Sequence, residues 1–231
     1  SGNLSISNPN YNFTNNTVFT SIDISRSDRS TTSGYKSSKQ SFELGTEFEQ
    51  YEQVYLSPKF SGKIENIEVD STASTSVKKM EGNFVNLDLG YGIAIDRRNQ
   101  SYKPTSGYWA KFAQTLPIII DTSSIMNELN IQGYHGFSDN VIGKTKFFAR
   151  TIHGVSDDDV RLTSRLYMPR NSLRGFNSKK LGPKDGSDWV GGNYLTALGF
   201  EAALPNLLPE ALKTDVGLFI DTGNIWSVDY S

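Results

Sequence analysis

From Val85 to Asp96 the chain alternates without a break. Odd positions read Val85, Leu87, Leu89, Tyr91, Ile93 and Ile95, and even positions read Asn86, Asp88, Gly90, Gly92, Ala94 and Asp96. A period of two sends successive side chains to opposite faces of a β-strand, so one face here is apolar and the other polar or small. The pattern recurs: Phe42, Leu44 and Phe48 oppose Ser41, Glu43, Gly45, Glu47 and Glu49, and Val54, Leu56, Phe60 and Ile64 oppose Ser57, Lys59, Ser61, Lys63 and Glu65. Leu129, Ile131, His135 and Phe137 oppose Glu128, Asn130, Gln132 and Gly136. It predicts about ten strands, near 2–8, 17–28, 39–50, 53–70, 84–97, 107–117, 126–138, 143–154, 191–205 and 213–227. The 143–154 strand is the least regular, because Phe147 and Phe148 fall on opposite faces. No helical period of useful length competes.

Two antiparallel architectures fit. A soluble sandwich buries its apolar face; a transmembrane β-barrel turns that face to lipid and lines its lumen with the polar one. Three features favour the barrel. The strands are long against the ~5–6 residues usual in soluble proteins. The polar face carries acids and glycines, which suit a wet, crowded interior. Short connections near 51–52, 98–106, 138–143 and 206–212 alternate with longer ones near 29–38, 71–83 and 155–190, as in outer-membrane barrels. Tyr55, Tyr108, Trp109, Tyr194 and Trp226 stand near strand ends, where interfacial girdles lie.

Composition removes several function classes. The net charge of −2 gives no basic footprint for nucleic acid. There is no cysteine, hence no disulfide and no thiolate metal site. His135 and His153 are the only imidazoles, and no Gly-x-Ser-x-Gly, His-Glu-x-x-His or phosphate loop accompanies them. Nothing in the composition calls for an enzyme, a metal or a cofactor.

The 171–193 stretch, NSLRGFNSKKLGPKDGSDWVGGN, lies within the longest connection. Loops beyond ~12–15 residues without structure of their own are usually functional or disordered. Parity offers this one an attachment. The apolar residues of 194–204 and of 214–226 are even-numbered, so Glu201 and Asp221 point inward on strands that are neighbours by sequence. Two inward carboxylates repel unless a cation lies between them. Arg174 is the candidate, because its planar fork engages carboxylates bidentately. Gly175 permits a tight approach, and Phe176 is expected to pack on the wall. A solvated loop arginine beside two unrelated acids fits the same spacing. Glu43 and Glu47 opposite Lys59 and Lys63 form a second possible ladder, with an ordinary wet wall as its alternative.

Leu173-Arg174-Gly175-Phe176 resembles the (V/I/L)RGF signature of the BamA superfamily, the outer-membrane protein assembly barrels. Trp189-Val190-Gly191-Gly192-Asn193 resembles the opening of the family's next strand, and Phe200-Glu201 with Leu204-Pro205 its end. Asp221-Thr222-Gly223-Asn224-Ile225-Trp226 resembles the Asp-x-Gly-x-(V/I)-Trp strand. Asp96-Arg97 with Pro104-Thr105 and Gly107 resembles the Asp-Arg…Pro-Thr-x-Gly turn, and Ser7-Asn8-Pro9 an earlier strand end. The motifs stand in family order. Pro169-Arg170 departs from the Gly-Gly that many members carry before the signature.

The resemblance implies that Arg174 is held in the lumen by Glu201 and Asp221. It implies an all-β, antiparallel transmembrane barrel in one domain, residues 1–231, with about ten of roughly sixteen strands. The segment is expected to be incomplete at both ends and to lack POTRA modules. The implied protein resides in an outer membrane, bacterial or organellar. It would insert and fold β-barrel clients without cofactor or covalent chemistry, in contact with unfolded outer-membrane proteins, membrane lipids and accessory assembly lipoproteins. A two-partner secretion or TamA-type transporter, a passive porin and a soluble β-sandwich binding protein are the alternatives.

Overall fold

The computed structural model describes residues 1–120, 124–155, 159–178, 180–209, 212 and 214–228. Parts of the expected 155–190 loop and 206–212 turn lie outside the described residues. The chain runs through β1 (Gly2–Asn8), β2 (Thr17–Arg29), β3 (Tyr35–Tyr51), β4 (Val54–Leu56), β5 (Lys59–Val69), β6 (Gly82–Asp96) and β7 (Gly107–Ile120). It continues through β8 (Ser124–Ser138), β9 (Val141–Gly154), β10 (Lys184–Asp185), β11 (Asp188–Trp189), β12 (Tyr194–Leu204) and β13 (Val216–Trp226). Except for the β10–β11 pair, the strands form a single antiparallel sheet in chain order, β1 to β13. Among the described residues no helix is long and apolar enough to cross a membrane.

β4 and β5 are two pieces of one stave. Phe48 pairs with Leu56 and Gly45 with Lys59, so both follow the same register against β3. Pro58 interrupts the ladder because it has no N–H to give, while its carbonyl still accepts from the Thr46 amide at 3.1 Å. Ten staves result among the described residues, close to the expected set. The expected 29–38 loop is shorter than the sequence suggested. β2 runs to Arg29, β3 begins at Tyr35, and a single helical turn, Ser30–Ser33, joins them. Gly34 closes that turn at φ +71°, a left-handed conformation that glycine adopts without strain.

The usual relation between hydrophobicity and burial is inverted across the wall. Leu4, Ile6, Ile22, Ile24, Leu44, Ile64, Leu89, Leu218 and Ile220 are exposed, whereas Glu65, Asn86, Arg161 and Asp188 are buried. An apolar outer face is the signature of a barrel in lipid. Register corrects the aromatic expectation at two positions. Tyr55 pairs with Ala94 and Trp109 with Asp96, on the inward face, while Tyr108, Tyr194 and Trp226 face outward. Tyr194 and Trp226 stack there with ring centroids 5.9 Å apart.

The core lies between the inner wall and the connection from β9 to β12. Val160, Leu166, Met168 and Leu173 of that connection pack on Ile152, Leu195, Ala197 and Ile225 of the wall. Phe148, the residue that broke the parity of β9, faces inward and joins this cluster. A second cluster joins Leu162 and Val190 to Tyr35, Ile67, Ala73 and Val77. The long connection therefore touches two well-separated parts of the wall. Burial of its apolar residues, at about 25 cal/mol per Å² of apolar surface, favours the folded-in position.

Candidate functional site: a loop arginine tied to the inner wall

β12 and β13 pair in register with Glu201 opposite Phe219 and Gly199 opposite Asp221. Glu201 and Asp221 thus occupy adjacent inward rows on neighbouring staves. Between Met168 and Ser178 the connection turns across them, and Leu173, 6% exposed, seats it in the apolar cluster. Arg174 follows directly. Its Nε donates to Asp221 Oδ2 at 2.7 Å and one terminal nitrogen donates to Asp221 Oδ1 at 2.8 Å, the bidentate fork. The other terminal nitrogen donates to Glu201 Oε2 at 2.9 Å. The Arg174 backbone N–H donates to Asp221 Oδ2 at 3.0 Å, so main chain and side chain share one acceptor. The guanidinium lies over the Phe219 ring, 3.5 Å from its centroid, in a cation–π contact.

Burial is graded across the group. The side chain of Asp221 is 5% exposed, and those of Glu201 and Arg174 are 28% and 30% exposed. The Asp221 hydrogen bond, then that to Glu201, holds the guanidinium above its ordinary pKa against the opposing effect of burial, so Arg174 stays charged. Gly199 makes the site possible: a Cβ there would sit 2.9 Å from Asp221 Oδ1. Register also brings Lys144 directly across from Glu201, and Lys146 across from Gly199, so cations flank the acids on a third stave.

The other sequence-selected residues occupy supporting positions. Gly175 has φ +85°, which lets the chain turn immediately after Arg174. Phe176 does not pack on the wall as expected; it is 60% exposed. The turn after Gly175 carries it away from the surface that Leu173 occupies. Gly191 has φ +69°, and a Cβ on Gly192 would meet Ile225 Cγ2 and the Trp226 carbonyl at 2.7 Å, so the start of β12 runs close against the end of β13. A Cβ on Gly223 would meet Met168 Cε at 2.9 Å, which lets the long connection lie against β13. In the 97–106 turn Asp96 pairs with Arg98, at 2.8 and 2.7 Å, while the Arg97 side chain is exposed. Pro104 lies in this turn, and Gly107 ends it at φ +90° with the Arg97 carbonyl where a Cβ would stand.

A second polar tie has no counterpart in the sequence reading. Glu65 on β5 accepts from Thr163 Oγ1 at 2.7 Å and lies 3.5 Å from Arg161 and from Lys63. Glu65 and Arg161 are each 3% exposed, and Arg161 stacks on Phe84 at 3.9 Å. Nearby, Asp188 accepts from the Ser74 amide at 2.9 Å, and Arg29 lies 4.3 Å over the Tyr167 ring. Glu65 was legible as an inward acid; Arg161 sits in aperiodic sequence and carries no face signal. Of the possible lysine–glutamate ladder, Lys59 pairs with Glu43 at 2.7 Å, whereas Lys63 turns to Glu65.

Among the described residues no group of His, Cys, Asp or Glu could hold a metal ion. What the arrangement does is mechanical and electrostatic: it fixes a long connection to the inner wall at two places.

An apolar-outside antiparallel wall with a long connection tied to its inner face defines the class, an integral membrane β-barrel. The Omp85 superfamily domain model matches residues 1–231, and the chain belongs to that superfamily. It is therefore an outer-membrane β-barrel chain. It is 25% identical over 166 residues to the outer membrane protein assembly factor BamA of Neorickettsia risticii, covering 70% of this chain and 22% of that protein. It is 26% identical over 171 residues to the human sorting and assembly machinery component 50 homolog, covering 69% of this chain and 36% of that protein. The crystal structure of BamA from Haemophilus ducreyi lacking POTRA domains 1–3 matches with a TM-score of 0.84 at 18% identity, over 97% of this chain and 49% of that one. The chain thus spans less than half the length of these relatives.

Proposed function

We propose that residues 1–231 form, as one domain, the wall and lumenal anchor of a protein that assembles β-barrel proteins into an outer membrane. Two matched relatives are named as an outer membrane protein assembly factor and a component of a sorting and assembly machinery, which supports this reading. The observation that carries it is the tie of Arg174 to Asp221 and Glu201, by which a long connection is held inside the wall. The work is non-covalent. An incoming client strand is templated by unpaired backbone groups at a strand edge of the full-length barrel, the chemistry of β-augmentation. The anchored connection keeps the opposing wall rigid while that edge exchanges partners. The partners are unfolded outer-membrane proteins, the surrounding lipids and accessory lipoproteins.

The test is Arg174→Ala in the full-length protein, with insertion of a client barrel into proteoliposomes as the readout. Slower insertion at an unchanged amount of folded protein supports the proposal. Unchanged insertion overturns it. Conductance without client insertion by the native protein would instead point to a passive porin.

A further inference from the structure

We propose that the outer face of β8, β9, β12 and β13 carries a seat for the acyl chain of a membrane lipid. An open cavity of about 610 Å³ lies there. Its walls come from Phe137, Phe200, Leu218 and Ile220, which are all exposed. Register identifies its face. Phe200 pairs with Ile220 in one outward row and Ala202 with Leu218 in another, two residues further along the strands. The row between them, through Lys144 and Glu201, turns its side chains to the lumen and contributes only backbone to the floor. The two outward rows stand roughly 7 Å apart, two strand rises.

Glycines open this basin. A Cβ built on Gly133 meets nothing within 4 Å and would point into empty space. Gly143 lets the Phe137 ring lie over the strand, since a Cβ there would come within 2.6 Å of that ring. The wall therefore recedes at Gly133, and at Gly143 the Phe137 ring takes the place a side chain would fill.

The occupant follows from the surroundings. The basin is continuous with the apolar outer band that superfamily membership places against lipid, and Phe137, Phe200, Leu218 and Ile220 outweigh its two polar side chains in the outward rows, Thr145 and His135. It lies toward the strand ends that meet the Asp139–Asn140 turn. A lipid reaching it belongs to the leaflet on that side, with the chain lying in the basin and the headgroup toward the turn. This inference rests on membrane placement and is independent of the assembly role.

The test uses the full-length protein in nanodiscs that contain a phospholipid with a diazirine in its acyl chain. Irradiation is expected to concentrate adducts on peptides containing residues 133–137 and 200–202. Gly133→Leu, whose Cβ meets nothing within 4 Å, puts a side chain into the open space and should reduce those adducts several-fold. Thr20→Leu, outward on β2, should leave them unchanged; retained heat-modified gel mobility checks folding of both variants. Adducts spread evenly around the wall, or insensitive to Gly133→Leu, overturn the proposal. A photoreactive residue at position 220 that captures protein rather than lipid does so as well.

Discussion

Replacing Arg174 with alanine removes three side-chain hydrogen bonds and the contact with Phe219 in one step. Asp221, 5% exposed, then keeps a charge with no guanidinium beside it. Breaking a buried pair from one side costs ~3–5 kcal/mol. The low end applies here, because Arg174 and Glu201 are each nearly a third exposed and Lys144 stands across from Glu201 as a substitute cation. A loss of about 3 kcal/mol corresponds to a rise of roughly a hundredfold in the open population of the connection. Hydrogen exchange of amides 172–176, read against those of β6, reports this opening. The amides of β6 serve as the internal reference, since their ladders to β5 and β7 do not involve the connection. Adding Lys144→Gln to Arg174→Ala should increase the loss, because Glu201 then has no neighbouring cation in its row. A change below about threefold in Arg174→Ala, within the ±0.5 kcal/mol of an ordinary surface substitution, would refute the reasoning.

Four further outcomes follow from the geometry. Gly199→Ala drives a Cβ to 2.9 Å from Asp221 Oδ1 and should loosen residues 172–176 by ~1–3 kcal/mol, measured by the same exchange. Glu65→Gln weakens the second tie and should speed proteolysis between residues 159 and 168 while leaving 172–176 protected. Gly107→Ala places a Cβ on the Arg97 carbonyl at φ +90° and should lower the unfolding free energy of the barrel by more than ~1 kcal/mol, read from a urea titration. Phe176→Ala removes an exposed ring and should change stability by less than ~0.5 kcal/mol in the same titration.

Alternation made much of the wall legible because each step of the strand period assigns a face. It turned Glu201 and Asp221 inward on neighbouring strands, and register then places them in adjacent inward rows. It failed where a residue's partner is not solvent or lipid. Phe148 is apolar yet inward, because the long connection covers it, and the lumenal positions of Tyr55 and Trp109 gave no polarity cue. Pro58 ended a ladder without ending a stave. Within the connection there is no period to read: Arg161, Leu162 and Tyr167 are positioned by tertiary contacts alone. Resemblance named Arg174 and its two acids. It offered nothing on Gly199, whose role appears only when its neighbour across the ladder is known to be Asp221.

The most direct test is a double-mutant cycle between Arg174 and Asp221 in the full-length protein, using Arg174→Ala, Asp221→Ala and their combination, with protection of amides 172–176 as the readout. A bidentate pair in contact predicts a coupling of at least ~1 kcal/mol, the double variant losing clearly less than the two single losses added together. Losses that simply add would mean that the guanidinium and the carboxylate act independently, and the account of an anchored connection would be wrong.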